Sequence, residues 1–313
     1  MSLPAQSAGS GSIAAVVVTR NRLALLQECV NALRAQTRKL NEIIVVDNGS
    51  DDGTAAWLSE QKDVTVIIQS NTGGAGGQYT GTKAAYLHSH DWLWLMDDDG
   101  RPAADCLQQL LEVDQPGLLY RAPLVLDRDD HEVLAFVIGP PTVPTRLTTR
   151  TEALAAAKEG LIAGVACPFN GVLLHRQVFT TIGFPLKQMF MWGDETEFTL
   201  RARRAGVLPA TCVQAIHFHP RDRMKARSFR FCGRTLYVLH VGNPLRDYLI
   251  VRNNAYIARV YLGWYRALRH TTRYAAFYLS EYGLAAALGA FRSSVAGMCG
   301  VLTGHKKFLA KKV

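Results

Sequence analysis

Along the first hundred positions, apolar runs recur at regular intervals, and each one stops at a polar or glycine-rich segment. The runs are Ile13-Ala-Ala-Val-Val-Val-Thr19, Glu42-Ile-Ile-Val-Val-Asp47, Val64-Thr-Val-Ile-Ile68 and Trp92-Leu-Trp-Leu-Met-Asp97. Runs this continuous, rich in β-branched and aromatic residues, predict strands buried on both faces. Between the first two, Leu23, Leu26, Val30 and Leu33 share one face of a helix over 23–35. Further helices are expected from near Thr54 and, after a glycine loop, through Ala85. Strand and helix alternating at this spacing predict a doubly wound α/β sheet. Beyond position 102 the pattern is weaker. It predicts helices over 105–113 and 151–160, strands over 118–126, 133–138 and 172–174, and a loop over 139–144. Two helices follow, one over 248–269 bearing Arg252, Arg259, Arg266 and Arg269, and an apolar one over 275–302.

In such a sheet ligands lie beyond the carboxyl ends of the strands, so the segments that end the strands matter most. The first is Thr19-Arg20-Asn21-Arg22. The second begins at Asp47, placed where an acid can take a ribose hydroxyl or a base edge. The third, Asn71-Thr72-Gly73-Gly74-Ala-Gly-Gly77, lacks the GK[ST] ending of a P-loop and is not GxGxxG. Its glycines would let backbone approach a ligand, or hold an anion at the following helix N-terminus, or merely form a flexible turn. The fourth is Asp97-Asp98-Asp99-Gly100. Three adjacent carboxylates suit a hard divalent cation such as Mg²⁺ or Mn²⁺, or else form a solvated acidic turn. Farther on, Asp194, Glu195 and Glu197 open a helix and complement its positive end. His217 and His219 alternate in a strand and would face the same side.

Composition narrows the partners. The chain has 313 residues, 48% apolar and 19% charged, with a net charge of +9 that favours an acidic partner: nucleic acid, an anionic membrane or a phosphorylated substrate. Six scattered cysteines without a CxxC pair fit neither a zinc motif nor a disulfide framework, and they suit a reducing cytosol. Residues 1–12 read as a flexible leader without a signal sequence. The most apolar stretch, 275–302, is interrupted by Glu281 and Arg292, so no clean membrane span is expected. The stretch is either a packed helix pair or a segment lying on a membrane surface. The terminal His305-Lys-Lys-Phe-Leu-Ala-Lys-Lys-Val313 is basic and amphipathic, which suits an anionic surface or a solvated cap equally well.

In sequence order, TRNR, IVVDNGSDDGT, NTGGAGG and WLWLMDDDG closely resemble glycosyltransferase family 2, whose members have the GT-A fold. Gly-Asp-Glu-x-Glu, His-Pro and Tyr248-Leu-Ile-Val-Arg252-Asn253 are similar to its bacterial galactofuranosyltransferase and rhamnosyltransferase branch, over about 13–260. The resemblance implies a GT-A catalytic domain over 13–235 (a nucleotide-binding half to 100, an acceptor-binding half beyond) and a helical, basic segment over 236–313. It implies that Thr19, Arg20, Asn21, Asp47, Asn71, Gly73, Gly74, Asp97 and Asp98 border the sugar nucleotide. Asp97 and Asp99, with His219 and then His217 in second place, would hold Mn²⁺ or Mg²⁺. The family's catalytic acid, six residues before an arginine, falls on Glu195, with Asp194 as the alternative, and Trp192 and Arg252 would lie on the acceptor side. The implied reaction is inverting transfer, most readily of galactofuranose from UDP-galactofuranose, with dTDP-rhamnose as the alternative donor. The acceptor would be a growing, lipid-linked surface polysaccharide, and the enzyme cytoplasmic, with peripheral contact at the inner membrane face.

Two other classes remain open to the residues alone. A nucleotidyltransferase would carry a glycine- and basic-rich phosphate loop directly after the first strand, where Thr19-Arg20-Asn21-Arg22 has no glycine. A nucleic-acid binder would interleave its positive charge with stacking aromatics, whereas here the charge gathers in the last hundred residues.

Overall fold

A computed structural model describes residues 11–139, 143–167, 169–221 and 226–309. Most of the expected leader and the last four residues of the basic tail lie outside these, as do positions 140–142 of the expected loop. The chain divides into two compact units. One comprises Met1–Pro185 with Arg201–Asp222, the other Leu186–Leu200 with Arg223–Val313. The division along the chain thus falls ahead of position 235, and the segment that opens with the second acid cluster groups with the C-terminal helices.

The first unit begins β1 (Ile13–Thr19), α1 (Leu23–Arg34), β2 (Glu42–Asp47), α2 (Thr54–Ser59), β3 (Thr65–Ile68), α3 (Gly73–Leu87) and β4 (Trp92–Asp97). It continues β5 (Arg101–Pro102), α4 (Cys106–Leu111), β6 (Tyr120–Asp127), β7 (Val133–Ile138), β8 (Leu147–Thr149), α5 (Arg150–Ala156), β9 (Leu161–Ala163), β10 (Asn170–His175) and α6 (Arg176–Ile182). A 3₁₀ turn at Lys187–Met189 and most of helix α7 (Asp194–Arg204) belong to the second unit, and the chain returns to the first with the end of α7 and β11 (Ala210–His219). The main sheet runs β3-β2-β1-β4-β10-β6-β11-β5. Strands β1 to β4 pair in parallel, β10 is antiparallel to both neighbours, and β11 is parallel to β6. Two reversals restore the original direction, so β6 and β11 end on the same edge as β4. Ile13, Val17, Trp94 and Met96 pack under α1, with Leu26, Val30 and Leu33 in one buried cluster.

The glycine segment departs from the expected loop. Helix α3 already begins at Gly73, and its glycines are where helix and sheet touch. A Cβ at Gly77 would stand 2.3 Å from Val18 Cγ1 and 2.9 Å from Asn48 Nδ2; one at Gly81 would stand 2.4 Å from Val16 Cγ1. Close approach of α3 to β1 and β2 is therefore what these positions serve. Only Gly73, at φ +75°, needs glycine for its backbone.

The second unit adds the hairpin β12 (Ala226–Phe231) and β13 (Arg234–Leu239), α8 (Pro244–Ile257), a π turn at Ala258–Leu262, α9 (Trp264–Tyr282), α10 (Leu284–Met298) and α11 (Lys306–Leu309). The two helices expected here are broken differently. Gly263 and Gly283, at φ +90° and +83°, end one helix and start the next. Helix α10 packs closely on α8, since a Cβ at Gly297 would stand 2.0 Å from the Arg252 carbonyl oxygen. Among the described residues no helix is long and apolar enough to cross a membrane.

Candidate active site

Parallel register aligns the strand ends. Thr19 pairs with Asp47, and Val18 with Asp97, so β1, β2 and β4 deliver their last side chains to one edge. The Thr19 hydroxyl donates to Asp98 Oδ2 at 2.8 Å. Arg22 Nη1 reaches Asp98 Oδ1 at 3.0 Å and Asp99 Oδ2 at 2.7 Å. Asp97 Oδ1 accepts from Gln78 Nε2 of α3 at 3.1 Å, and the same Nε2 lies 3.2 Å from the Met96 carbonyl. Asp98 is almost wholly buried. That burial, with the Asp99 charge, outweighs Arg22 and pushes its carboxyl up to about 6. Burial would also raise Asp99, but the His219 hydrogen bond and the charges of His219 and Arg22 prevail, holding it at about 2.

His219, the last residue of β11, comes to the same edge. Its Nδ1 lies 2.7 Å from the Pro220 carbonyl and its Nε2 3.2 Å from Asp99 Oδ1. A carbonyl partner at Nδ1 fixes the tautomer, leaving Nε2 for the carboxylate side, the arrangement usual for a metal-ligating imidazole. Phe136 of β7 packs on the ring. His217 is placed differently. It is fully buried between Gly100 and Gly171, where added Cβ atoms would stand 2.3 Å from its Nε2 and 2.8 Å from its Nδ1. Burial and the neighbouring His219 keep that ring neutral, down to about 3, and neither nitrogen has a hydrogen-bond partner among the described residues.

At the end of β2, Asp47 Oδ1 accepts from the Ser50 amide and hydroxyl at 2.9 and 2.6 Å, while its buried Oδ2 has no partner among the described residues. A buried carboxylate oxygen left without a donor is costly unless something else supplies one. Asn21, at φ +54°, links the two strand-end loops through Ser50 and Asp51. Asn48 holds the next loop, through Gln69, Thr72 and the Gly73 carbonyl. Asn71 Oδ1 caps the Gly73 amide at 3.0 Å. Arg20 is exposed, and a Cβ at Gly74 would meet open space.

Within the second unit, Phe190, Trp192 and Gly193 all have positive φ (+69°, +71° and +83°) immediately before α7. Non-glycine residues hold such conformations only where their surroundings enforce them. Asn253 Nδ2 meets the carbonyls of Met189, Met191 and Trp192 at 3.0, 2.9 and 2.7 Å. Arg252 is fully buried. Its guanidinium bonds the Met189 and Leu302 carbonyls at 3.0 and 2.8 Å, so it braces this segment rather than facing solvent. Asp194 is buried, and burial with the Glu197 charge raises its carboxyl above the usual range. Glu195 is half-buried, and Glu197 accepts from the Tyr261 hydroxyl at 2.6 Å. Arg22, Gln78, Asn253 and Tyr261 were not singled out as site residues in the sequence. Arg22 stands inside the first strand-end motif and Asn253 beside Arg252, whereas Gln78 and Tyr261 carry no local signal.

The Glycosyl transferase family 2 sequence profile matches residues 14–117. Galactofuranosyltransferase GlfT1 of Mycolicibacterium smegmatis is 33% identical over 252 residues, 78% of this chain and 82% of that protein. The chain belongs to glycosyltransferase family 2. The GlfT1 of Mycobacterium tuberculosis is 34% identical over 254 residues, 79% of this chain and 82% of that protein. The dTDP-rhamnosyl transferase RfbF of Shigella flexneri is 23% identical over 251 residues, 78% of this chain and 79% of that protein. The crystal structure of GalNAc-T7 with UDP, GalNAc and Mn²⁺ superposes with a TM-score of 0.59 at 15% identity, covering 97% of this chain and 57% of that one. This family 2 glycosyltransferase therefore has the GT-A fold, with a sugar nucleotide as donor and a glycan acceptor. Family membership sets the nucleotidyltransferase and nucleic-acid readings aside.

Proposed function

We propose that this glycosyltransferase is inverting and metal-dependent, and that it moves galactofuranose from UDP-galactofuranose to a lipid-linked glycan. The observation that carries the metal assignment is the Asp99–His219 pair, with the His219 ring oriented by a carbonyl. Asp97, Asp99 and His219 would hold the ion, and an imidazole among carboxylates favours Mn²⁺ over Mg²⁺. When bound, the ion supplies positive charge that stabilises the departing diphosphate. Arg22 brings a fixed positive charge to Asp98 and Asp99. Asp47, with its unmatched Oδ2, is assigned to the nucleoside, bordered by Thr19, Arg20, Asn21 and Asn71. Gly73 and Gly74 open α3 beside the nucleotide; Asn71 caps the Gly73 amide, and the Gly74 N–H is the one suited to a phosphate oxygen.

In the transfer itself the acceptor oxygen forms a bond to the anomeric carbon as the bond to the UDP oxygen breaks, inverting that carbon. Glu195 takes the acceptor proton, and the electron pair leaves with UDP. Asp194, whose raised carboxyl also suits proton transfer, is the second candidate for this role. Trp192 is assigned to the acceptor sugar, with Arg252 acting through the backbone it braces. The GlfT1 relatives support galactofuranose as the sugar, and the RfbF relative supports rhamnose as the second reading.

For a lipid-linked acceptor, a position at the cytoplasmic membrane face is useful. In support, α9 and α10 expose Trp264, Tyr265, Leu268, Leu284 and Phe291 in a segment that also carries Arg259, Arg266 and Arg269. The test is a donor screen with Mn²⁺ over UDP-galactofuranose, UDP-galactopyranose, UDP-glucose and dTDP-rhamnose, reading release of nucleoside diphosphate. Release from UDP-galactofuranose alone, abolished by EDTA, Asp99→Ala and Glu195→Gln, is the expected result. Release from dTDP-rhamnose alone would establish the second reading. Activity surviving in Glu195→Gln would assign the base to Asp194.

A further inference from the structure

A second cluster of ligand-type side chains lies at the opposite end of the same strands. Glu42 opens β2, whose other end is Asp47, and His90 precedes β4, whose other end is Asp97. Five residue steps along a strand separate the two edges by roughly 16 Å. Here Glu42 Oε2 lies 3.0 Å from His88 Nδ1 and 2.7 Å from His90 Nε2. One ligand atom from each of the three side chains falls within 4.8 Å of the others. Nothing in the transfer chemistry uses them.

Local structure holds the group in place. His88 ends α3, and Ser89, at φ +66°, turns the chain so that His88 and His90 converge on one carboxylate. The amides of His88, Ser89 and His90 are all taken by carbonyls of the last helical turn. Thr65, the first residue of β3, donates to Glu42 Oε1 at 2.6 Å, fixing the carboxylate and turning Oε2 to the two rings. An outer partner that orients a ligating oxygen is what a metal site needs. Glu42 and His90 are mostly shielded, while the His88 side chain is 46% exposed, which leaves an approach from solvent.

The geometry points to a zinc site made by Glu42, His88 and His90, with solvent as the fourth ligand. Two imidazoles and one carboxylate form a recognised Zn²⁺ donor set. Bond lengths near 2.0–2.1 Å put ligand atoms of a tetrahedral site about 3.3 Å apart. The contacts to Glu42 are 2.7 to 3.1 Å and the ligand atoms of the two rings lie within 4.8 Å of each other, so small shifts, which the half-exposed His88 can supply, bring the three to that spacing. A bound ion would join the start of β2 to the α3–β4 connection, with Thr65 tying in β3.

Chelator-stripped Asp99→Asn protein, in which the strand-end metal site is weakened, should be titrated with Zn²⁺ by calorimetry, with millimolar Mg²⁺ present, and its melting followed in parallel. One equivalent should bind tightly and raise the Tm. His88→Ala, at a half-exposed position, and Glu42→Gln should each weaken that binding tenfold or more and abolish the Tm rise. An undiminished equivalent when His88→Ala or Glu42→Gln is added to Asp99→Asn would overturn the assignment, as would no binding in the Asp99→Asn protein itself. None of these readouts depends on which sugar the enzyme transfers.

Discussion

Replacing Asn253 with alanine tests the idea that the strained segment before α7 is enforced by its surroundings. The side chain is fully buried, and its amide meets three carbonyls. Met189 keeps Arg252 and the Met191 amide as partners, so the Met191 and Trp192 carbonyls bear the loss. Each lost hydrogen bond is worth about 1 kcal/mol net, and a buried group left unpaired costs about 1–3 kcal/mol. The positive-φ backbone at Phe190 and Trp192 adds strain of about 1–3 kcal/mol per residue that would no longer be held. Local opening should therefore become easier by at least about 2 kcal/mol, or about 30-fold. Hydrogen exchange followed by mass spectrometry over 187–195 should register that acceleration, with the sheet of the first unit unaffected. Asn253→Asp should also accelerate exchange, because it turns a carboxylate towards the same carbonyls while keeping the acceptor for Arg252 Nε. Because the segment leads into Asp194 and Glu195, both variants should lose transfer rate with the KM for the sugar nucleotide unchanged. Unaltered exchange in both variants would refute the reasoning.

The remaining predictions concern charge, metal and packing. Asp194 titrates above its unfolded-state value because of burial and then Glu197, so charging it costs stability as pH rises from the unfolded value through the folded one. Asp194→Asn should accordingly raise the Tm at about pH 8, and the gain should shrink towards about pH 4, where the carboxyl is protonated in the fold; a gain that persists unchanged at the lower pH would contradict this. His219→Ala should lower activity by at least tenfold at limiting Mn²⁺ and be partly rescued by excess Mn²⁺, measured as UDP release; a loss insensitive to Mn²⁺ would count against a ligand role. Gly77→Ala should destabilise the protein by about 1–3 kcal/mol, because its Cβ would overlap Val18 and crowd Asn48. Gly74→Ala, facing open space, should leave stability within about 0.5 kcal/mol yet raise the KM for the sugar nucleotide.

The first four strands were legible because continuous apolar runs have one stable home, a sheet covered on both faces, and because each run stops at a turn. The observed β1, β2 and β4 match the expected runs at both ends, and β7 falls over the expected 133–138. The hairpin of β12 and β13 was not foreseen. Its strands, Ala226-Arg-Ser-Phe-Arg-Phe231 and Arg234-Thr-Leu-Tyr-Val-Leu239, carry no clean apolar alternation, and Phe229 and Val238 are buried only against residues such as Ile250 and Phe277, far away in sequence. The glycine segment was misplaced for a related reason. Glycine composition signals freedom of backbone, while the demand here comes from Val16 and Val18 on another element, and that demand is steric.

The candidate site divides in the same way. Adjacent acids at a strand end are a local pattern, so the sequence by itself determined that Asp97, Asp98 and Asp99 would stand at the carboxyl edge of the sheet. Their different tasks were decided only in three dimensions. Asp98 is buried against Thr19 and Arg22, while Asp99 meets His219, brought from far along the chain by the pairing of β11 with β6. Likewise, two histidines spaced to share a strand face are equivalent in sequence, yet one is enclosed by Gly100 and Gly171 and the other reaches a carboxylate. Period and composition decide which elements form, because they depend on neighbours along the chain. Burial, charge and partner choice depend on neighbours in space, and only the tertiary structure supplies those.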